Sequence, residues 1–204
     1  MVGVIDYGVG NNASVHRMIQ RVGGSSISVS RPHELSTVDK VILPGVGHFD
    51  AGMYELVARG FRDALVDDIR SKRITLLGIC LGMQLLCLKS EEGEQTGLGL
   101  IDAHVVKFGF NPPLGLKIPH MGWNTIATTR DNPLLPASDI ERRFYFVHSY
   151  KVVTNVPEIT IATCDYGGDF CAAFQNANIF GVQFHPEKSH KFGMDLMKRF
   201  VELS

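Results

Sequence analysis

The first hundred residues alternate short apolar runs with segments in which apolar positions recur every three to four residues. VGVIDY (2–7) reads as a buried strand. In NNASVHRMIQRVG (11–23), Val15, Met18, Ile19 and Val22 form a helical stripe that Gly23 and Gly24 close. ISVS reads as the next strand and KVILPG (40–45) as the one after. One long helix is expected through MYELVARGFRDALVDDIRSK. RITLLGIC then reads as a strand and LGMQLLCLKS as a helix. Such alternation implies right-handed crossovers and a largely parallel sheet covered on both faces. From about residue 100 the period shortens. HVVKF, WNTIAT, RRFYFVHSYKVV, TIATCDYG, DFCAAFQ and IFGVQFH read as closely spaced strands, and KFGMDLMKRFVEL as a closing helix. KFGFNPPLGLK (107–117) reads as a bend between strands. No repeat or low-complexity linker interrupts the pattern. It predicts one domain over residues 1–204, an α/β fold with a central mixed, largely parallel sheet.

Charge and cysteine usage narrow the classes. A net charge of −1 gives no electrostatic case for nucleic acid or an anionic membrane. The apolar runs are short of a membrane span, and MVGVIDYG reads as a core strand rather than a charged, apolar leader. Cys80, Cys87, Cys164 and Cys171 form no CxxC pair, and a chain of this length needs no disulfide framework. A soluble, cytoplasmic enzyme or binding protein is expected.

The chemistry concentrates at strand ends. LLGICLGMQLL (76–86) puts Cys80 between a strand and a helix. The plainer reading is a small core hydrophobe. The sharper one is a nucleophile elbow, where helix N–H groups and partial positive charge stabilise an anion. Gly82 would leave room for the close packing such a turn needs, and the Leu81 N–H would point at an oxyanion. Cys87 reads as core. A base is offered by GVQFHPEKS (181–189): His185 ends an apolar strand and Glu187 follows at i+2, on the same side of an extended chain. Pro186 favours that extended backbone at His185. The set has the general form of nucleophile, base and orienter. A zinc site at His185 and His190 lacks further spaced ligands, so no metal is expected. In VILPGVGHF (41–49), Gly45 and Gly47 allow backbone that other residues resist, including an inward-turned N–H. A phosphate loop is the competitor there, but no GK[ST] follows. Gly8 to Ala13 matches GxGxxA, yet no Asp or Glu occurs between Asp6 and Glu34 to bind a ribose. A tight βα turn is the better account, and no cofactor is expected.

Together these pieces resemble the class I (triad) glutamine amidotransferases. The order matches: PGVG at 44–47, GICLGMQ around Cys80, HPE at 185–187. Within that family, DYGVGN, PGVGHFDAGM, PHMGWN (119–124), FYFVHSY (144–150) and GVQFHPEKS are similar to the glutaminase subunits of imidazole glycerol phosphate synthases. The resemblance runs end to end and implies a three-layer, flavodoxin-like fold. It implies Cys80 as nucleophile, His185 as base and then acid, Glu187 as orienter, and an oxyanion hole from the Leu81 N–H and a peptide near Gly47. It further implies a pocket for L-glutamine from Gly45, Gln84, Glu92, Val147, His148 and Ser149. Asn12, Trp123 and Lys188 fall in motifs that face a (β/α)8 synthase partner in a heterodimer. Core packing is the competing account of Trp123. EKSHKFGM departs from the glycine-rich continuation expected for histidine biosynthesis. It looks closer to paralogues that supply ammonia to nucleotide-sugar modification in surface polysaccharide synthesis. A non-catalytic, nucleotide-binding flavodoxin-like module is the reading from another class.

Overall fold

The computed structural model describes residues 1–109 and 115–203. The middle of the bend expected at 107–117 lies outside them. The elements run β1 (Val2–Ile5), α1 (Asn12–Arg21), β2 (Ser26–Val29), β3 (Lys40–Leu43), α2 (Phe49–Ala58), α3 (Phe61–Arg70), β4 (Thr75–Ile79) and α4 (Leu81–Leu85). There follow β5 (Lys89–Ser90), β6 (Ala103–Lys107), β7 (His120–Thr128), β8 (Arg142–His148), β9 (Tyr150–Thr154), β10 (Thr160–Asp165), β11 (Asp169–Asn176), β12 (Ile179–Val182) and α5 (His190–Glu202).

The sheet order is β2-β1-β3-β4-β12-β11-β10-β7-β8. The first five strands are parallel and every later pairing along this path is antiparallel. β1, β3, β4 and β12 are nearly continuous apolar runs because both of their faces are covered. On one face α1 and α5 pack Val15, Ile19, Leu196 and Phe200 against Val4, Ile42 and Leu77. On the other, α2, α3 and α4 pack Met53, Leu56, Leu65 and Leu85 against Ile5, Leu43 and Leu76. The result is the three-layer α/β architecture expected from the hydrophobic pattern. No helix among the described residues is long and apolar enough to cross a membrane.

Three local expectations change. The helix expected over 53–72 is two helices, broken at Gly60, whose φ is +75°. In α2 the buried stripe runs Phe49, Met53, Leu56, and a straight continuation would bring Gly60, Asp63 and Asp67 inward. Breaking at Gly60 resets the stripe to Phe61, Leu65 and Ile69. The helix expected over 81–90 stops at Leu85. The N–H groups of Leu98, Leu100 and Gly99 donate to the carbonyls of Leu85, Leu86 and Cys87, so these no longer serve a helix. RRFYFVHSYKVV is two strands: β8 pairs with β7, whereas β9 pairs with β6 and β11. The chain changes partners at Ser149.

The glycine pair Gly8 and Gly10 adopts φ of +84° and +124°, the tight β1–α1 turn expected of it. The closest approach lies elsewhere. A Cβ at Gly82 would stand 1.9 Å from the Leu43 carbonyl oxygen, so α4 lies directly on the end of β3. Gly82→Ala is expected to lower the melting temperature by on the order of 10 °C or more, because backbone rather than a flexible side chain must yield. Gly109→Ala, where a Cβ meets nothing within 4 Å, is the matched control and should melt close to the unsubstituted chain. Thermal denaturation followed by circular dichroism makes the comparison.

Candidate active site

Cys80 occupies the turn between β4 and α4 with φ 54° and ψ −110°, a conformation rare for a residue with a Cβ. Its N–H donates to Val182 on the neighbouring strand, and its carbonyl accepts from Gln84 N. The turn is therefore held on both sides, and the side chain is set at the carboxyl edge of the parallel strands. It is 6% exposed and opens into a cavity of about 280 Å³. The elbow expected from the sequence is present. Cys87, Cys164 and Cys171 are buried elsewhere, and burial pushes each of these thiols up.

His185 lies across the cavity, only 1% exposed, with backbone in the extended region as Pro186 demands. Its N–H donates to Tyr145 O, and Ser189 Oγ donates to its carbonyl while accepting from Tyr145 N. His185 Nδ1 and Glu187 Oε1 are 2.7 Å apart. The route differs from the extended i, i+2 geometry expected. Residues Pro186–Lys188 form a 3₁₀ turn, which folds the carboxylate back beneath the ring. Burial pulls the imidazole down, but the Cys80 sulfur and the Glu187 carboxylate outweigh it and push His185 up to about 9. Nδ1 is held by Glu187, and Nε2 is buried without a hydrogen bond of regular geometry.

Of the residues expected around a substrate, Gly47, Leu81, Gln84, Glu92, Val147, His148 and Ser149 all line this cavity, as do Cys80 and His185. Gly45 lies beneath the wall: a Cβ there would stand 2.7 Å from Gly82 N and 3.0 Å from the Tyr7 hydroxyl. Tyr7 donates to Pro44 O at 2.8 Å and so ties the 44–47 segment to β1. Gly47 has φ +105° and open space around it. Glu92 Oε2 accepts from Phe49 N at the start of α2. Its loop is pinned by Asp50, whose carboxylate accepts from Glu94 N and Gln95 N; those two hydrogen bonds hold it below the usual carboxylate range. Among the described residues no three metal-ligating side chains converge.

Two of the expected partner residues share an aromatic neighbour. Trp123 is 42% exposed, which excludes core packing, and it stacks on His190 at 5.3 Å with Tyr145 at its edge. Lys188 Nζ stands 5.7 Å over the same Tyr145 ring. Asn12 opens α1, its Nδ2 donating to Ile5 O.

With the fold, the elbow and the cavity in place, comparison with known proteins decides the family. Residues 3–203 match the family model described as glutamine amidotransferase class-I. The chain belongs to the class I glutamine amidotransferases. It is 48% identical, over 100% of both chains, to a Pseudomonas aeruginosa protein named imidazole glycerol phosphate synthase subunit HisH 2. A Methanococcus maripaludis protein of the same name is 46% identical, with 99% of each chain covered. Among solved structures, PurLQS from Thermotoga maritima superposes with a TM-score of 0.75 at 18% identity, covering 98% of this chain and 96% of that one. That likeness shows the amidotransferase fold.

Two buried residues that contact the cavity wall are not singled out by the sequence. Gln183, wholly buried, donates to the Cys80 sulfur. A polar residue inside the apolar run IFGVQF was the available signal. His120, within PHMGWN, completes a buried chain. His148 Nδ1 donates to Tyr150 O at 2.7 Å, so His148 Nε2 must accept from His120 Nδ1 at 3.0 Å. His120 Nε2 in turn accepts from Asn124 Nδ2 at 3.3 Å. Both rings must be neutral for this polarity to hold. Burial pulls His120 down to about 4 and His148 down to about 3.

The sign of the pH dependence follows. Between the ordinary value of 6.5 and these depressed values, the folded chain binds fewer protons than the unfolded one. Stability should therefore fall as pH drops through that window. His185 acts oppositely, stabilising below 6.5 and losing that contribution as pH rises through about 9. Melting temperature is expected to fall by on the order of 10 °C between pH 7 and pH 5. His120→Phe should flatten this acid limb while leaving the alkaline one, as thermal melts across pH would show.

Proposed function

We propose that this chain is the glutaminase subunit of an imidazole glycerol phosphate synthase, hydrolysing L-glutamine and passing ammonia to a (β/α)8 synthase subunit in histidine biosynthesis. The observation that carries the chemistry is a thiol at a strained elbow sharing one cavity with a histidine whose far nitrogen is held by a carboxylate. The acceptor is supported by relatives matched over their whole length that bear that subunit's name. The nucleotide-sugar acceptor has only the EKSHKFGM departure in its favour.

In this reading Cys80, as thiolate beside the His185 imidazolium, attacks the side-chain amide carbon of glutamine. The oxyanion is received by the Leu81 N–H, at the start of α4 where backbone donors lack helical partners, and by a peptide near Gly47. As the sulfur becomes acylated its charge disappears, and with it one of the interactions that keep the proton on His185. The imidazolium is thereby made a better acid at the moment ammonia must leave. His185 then draws a proton from water, hydroxide adds to the thioester, and glutamate departs as the thiolate returns. Glu187 keeps the ring in register throughout. Glu92 and the 147–149 segment suit the ammonium and carboxylate of the substrate's backbone end.

Ammonia released into neutral water would be protonated, which favours direct transfer to a docked acceptor. Trp123, Tyr145 and Lys188 form the contact in this reading, since Tyr145 joins them to the His185 backbone.

Cys80→Ala should abolish glutamine hydrolysis in the complex while ammonium-dependent synthesis continues, and Cys87→Ala should be nearly silent. Assaying both half-reactions tests this, and residual glutaminase activity in Cys80→Ala would remove it as nucleophile. Glu187→Gln should lower kcat less than His185→Ala does, with KM little changed. For docking, Trp123→Ala and Lys188→Ala should each weaken association with the synthase by about tenfold in titration calorimetry, with unchanged circular dichroism. Unaltered affinity in both would take this surface out of the interface.

A further inference from the structure

We infer that Gln183 is a catalytic residue, an amide donor fixed onto the Cys80 sulfur that stabilises the thiolate before attack and again when the thioester collapses. This rests on Cys80 being the nucleophile. Three contacts determine which end of the amide faces the sulfur. The carbonyl of Tyr150 can only accept, so the Gln84 atom 3.2 Å from it is the nitrogen. That nitrogen also lies 3.0 Å from the Gln183 side chain, so the Gln183 atom facing it is Oε1. Gln183 Nε2 is left pointing at Cys80 Sγ, 3.7 Å away, a fitting separation for N–H to sulfur. The backbone is fixed as well, with Gln183 N donating to Ala172 O.

Burial gives this contact its strength. Gln183 is 0% exposed, so its amide does not exchange its partners for water. A buried amide is costly unless bonded, and a hydrogen bond to an ionised acceptor in such surroundings is stronger than one in water. His185 neutralises the sulfur's charge by carrying the proton, but it must surrender that proton to the leaving amine. The amide keeps its hydrogens throughout. During thioester collapse, when His185 is engaged with water, Gln183 is the donor still facing the departing sulfur. Gln84 holds the amide in this orientation and also lines the cavity, which places it as the positioning residue behind the contact.

The test reads the sulfur itself. The intact chain is alkylated with iodoacetamide between pH 6 and 9, and the Cys80 peptide is quantified by mass spectrometry. Cys87 and Cys164, 0% and 2% exposed, are buried more deeply than Cys80 and serve as internal silent controls. Gln183→Met keeps the volume and removes the donor. It is expected to slow Cys80 alkylation at pH 7 by about tenfold, to move the rate–pH profile to higher pH, and to lower kcat for glutamine with KM within about twofold. A folded Gln183→Met chain that alkylates at the unsubstituted rate across the range overturns the inference. Should that variant fail to fold, Gln183→Glu at pH 8 keeps the acceptor for Gln84 and faces the sulfur with oxygen; slower alkylation supports the inference and an unchanged rate overturns it. Failure of the nucleophile reading would instead show as glutaminase activity surviving Cys80→Ala, whatever the alkylation rates.

Discussion

At residue 82 there is no room for a side chain, and the rest of the site follows from that. A Cβ there would overlap the Leu43 carbonyl, one at Gly78 would stand 2.8 Å from the Gly82 carbonyl, and one at Gly45 would meet Gly82 N. Three glycines from three segments thus let the first turn of α4 settle onto the ends of β3 and β4 with backbone against backbone. That approach goes with a positive φ at Cys80, whose side chain lines the cavity. It also brings the 44–47 segment beside the first N–H groups of α4. Buried on nearly every side, the turn has no neighbouring space in which to relax, so the strain at Cys80 is held by packing.

Around that fixed sulfur the protein arranges two kinds of polar partner. His185 and Glu187 form a buried hydrogen-bonded pair, and their mutual distance is set by a 3₁₀ turn whose ends Ser189 and Tyr145 clamp. Gln84, Gln183, His120 and His148 carry no net charge and are ordered by the donors and acceptors they face. Each chain of contacts starts at the same obligate acceptor, the Tyr150 carbonyl, which takes hydrogen bonds from both Gln84 and His148. Tyr150 opens β9, the strand that follows the change of sheet partners at Ser149.

The hydrophobic pattern of this chain determined a good deal. Runs such as VGVI and LLGI have to be parallel, doubly covered strands, because their apolar residues face both ways. GICLG and FHPE similarly announce a thiol and an imidazole at strand ends, because glycine frees and proline restricts backbone in ways readable one residue at a time. What tertiary structure decided are the features that depend on distant partners. The helix after Cys80 ends at Leu85 because residues 98–100 take its carbonyls, and nothing within LGMQLLCLKS encodes that. RRFYFVHSYKVV alternates as one strand would, and only the competing edges of β7 and β6 divide it. Gln183 looks like an imperfection in an apolar strand until Gln84, 99 residues away in sequence, fixes which way its amide points. Local chemistry sets what each residue can do, but the orientation of a buried amide or imidazole is settled by the donor or acceptor opposite it, and only folding brings that group there.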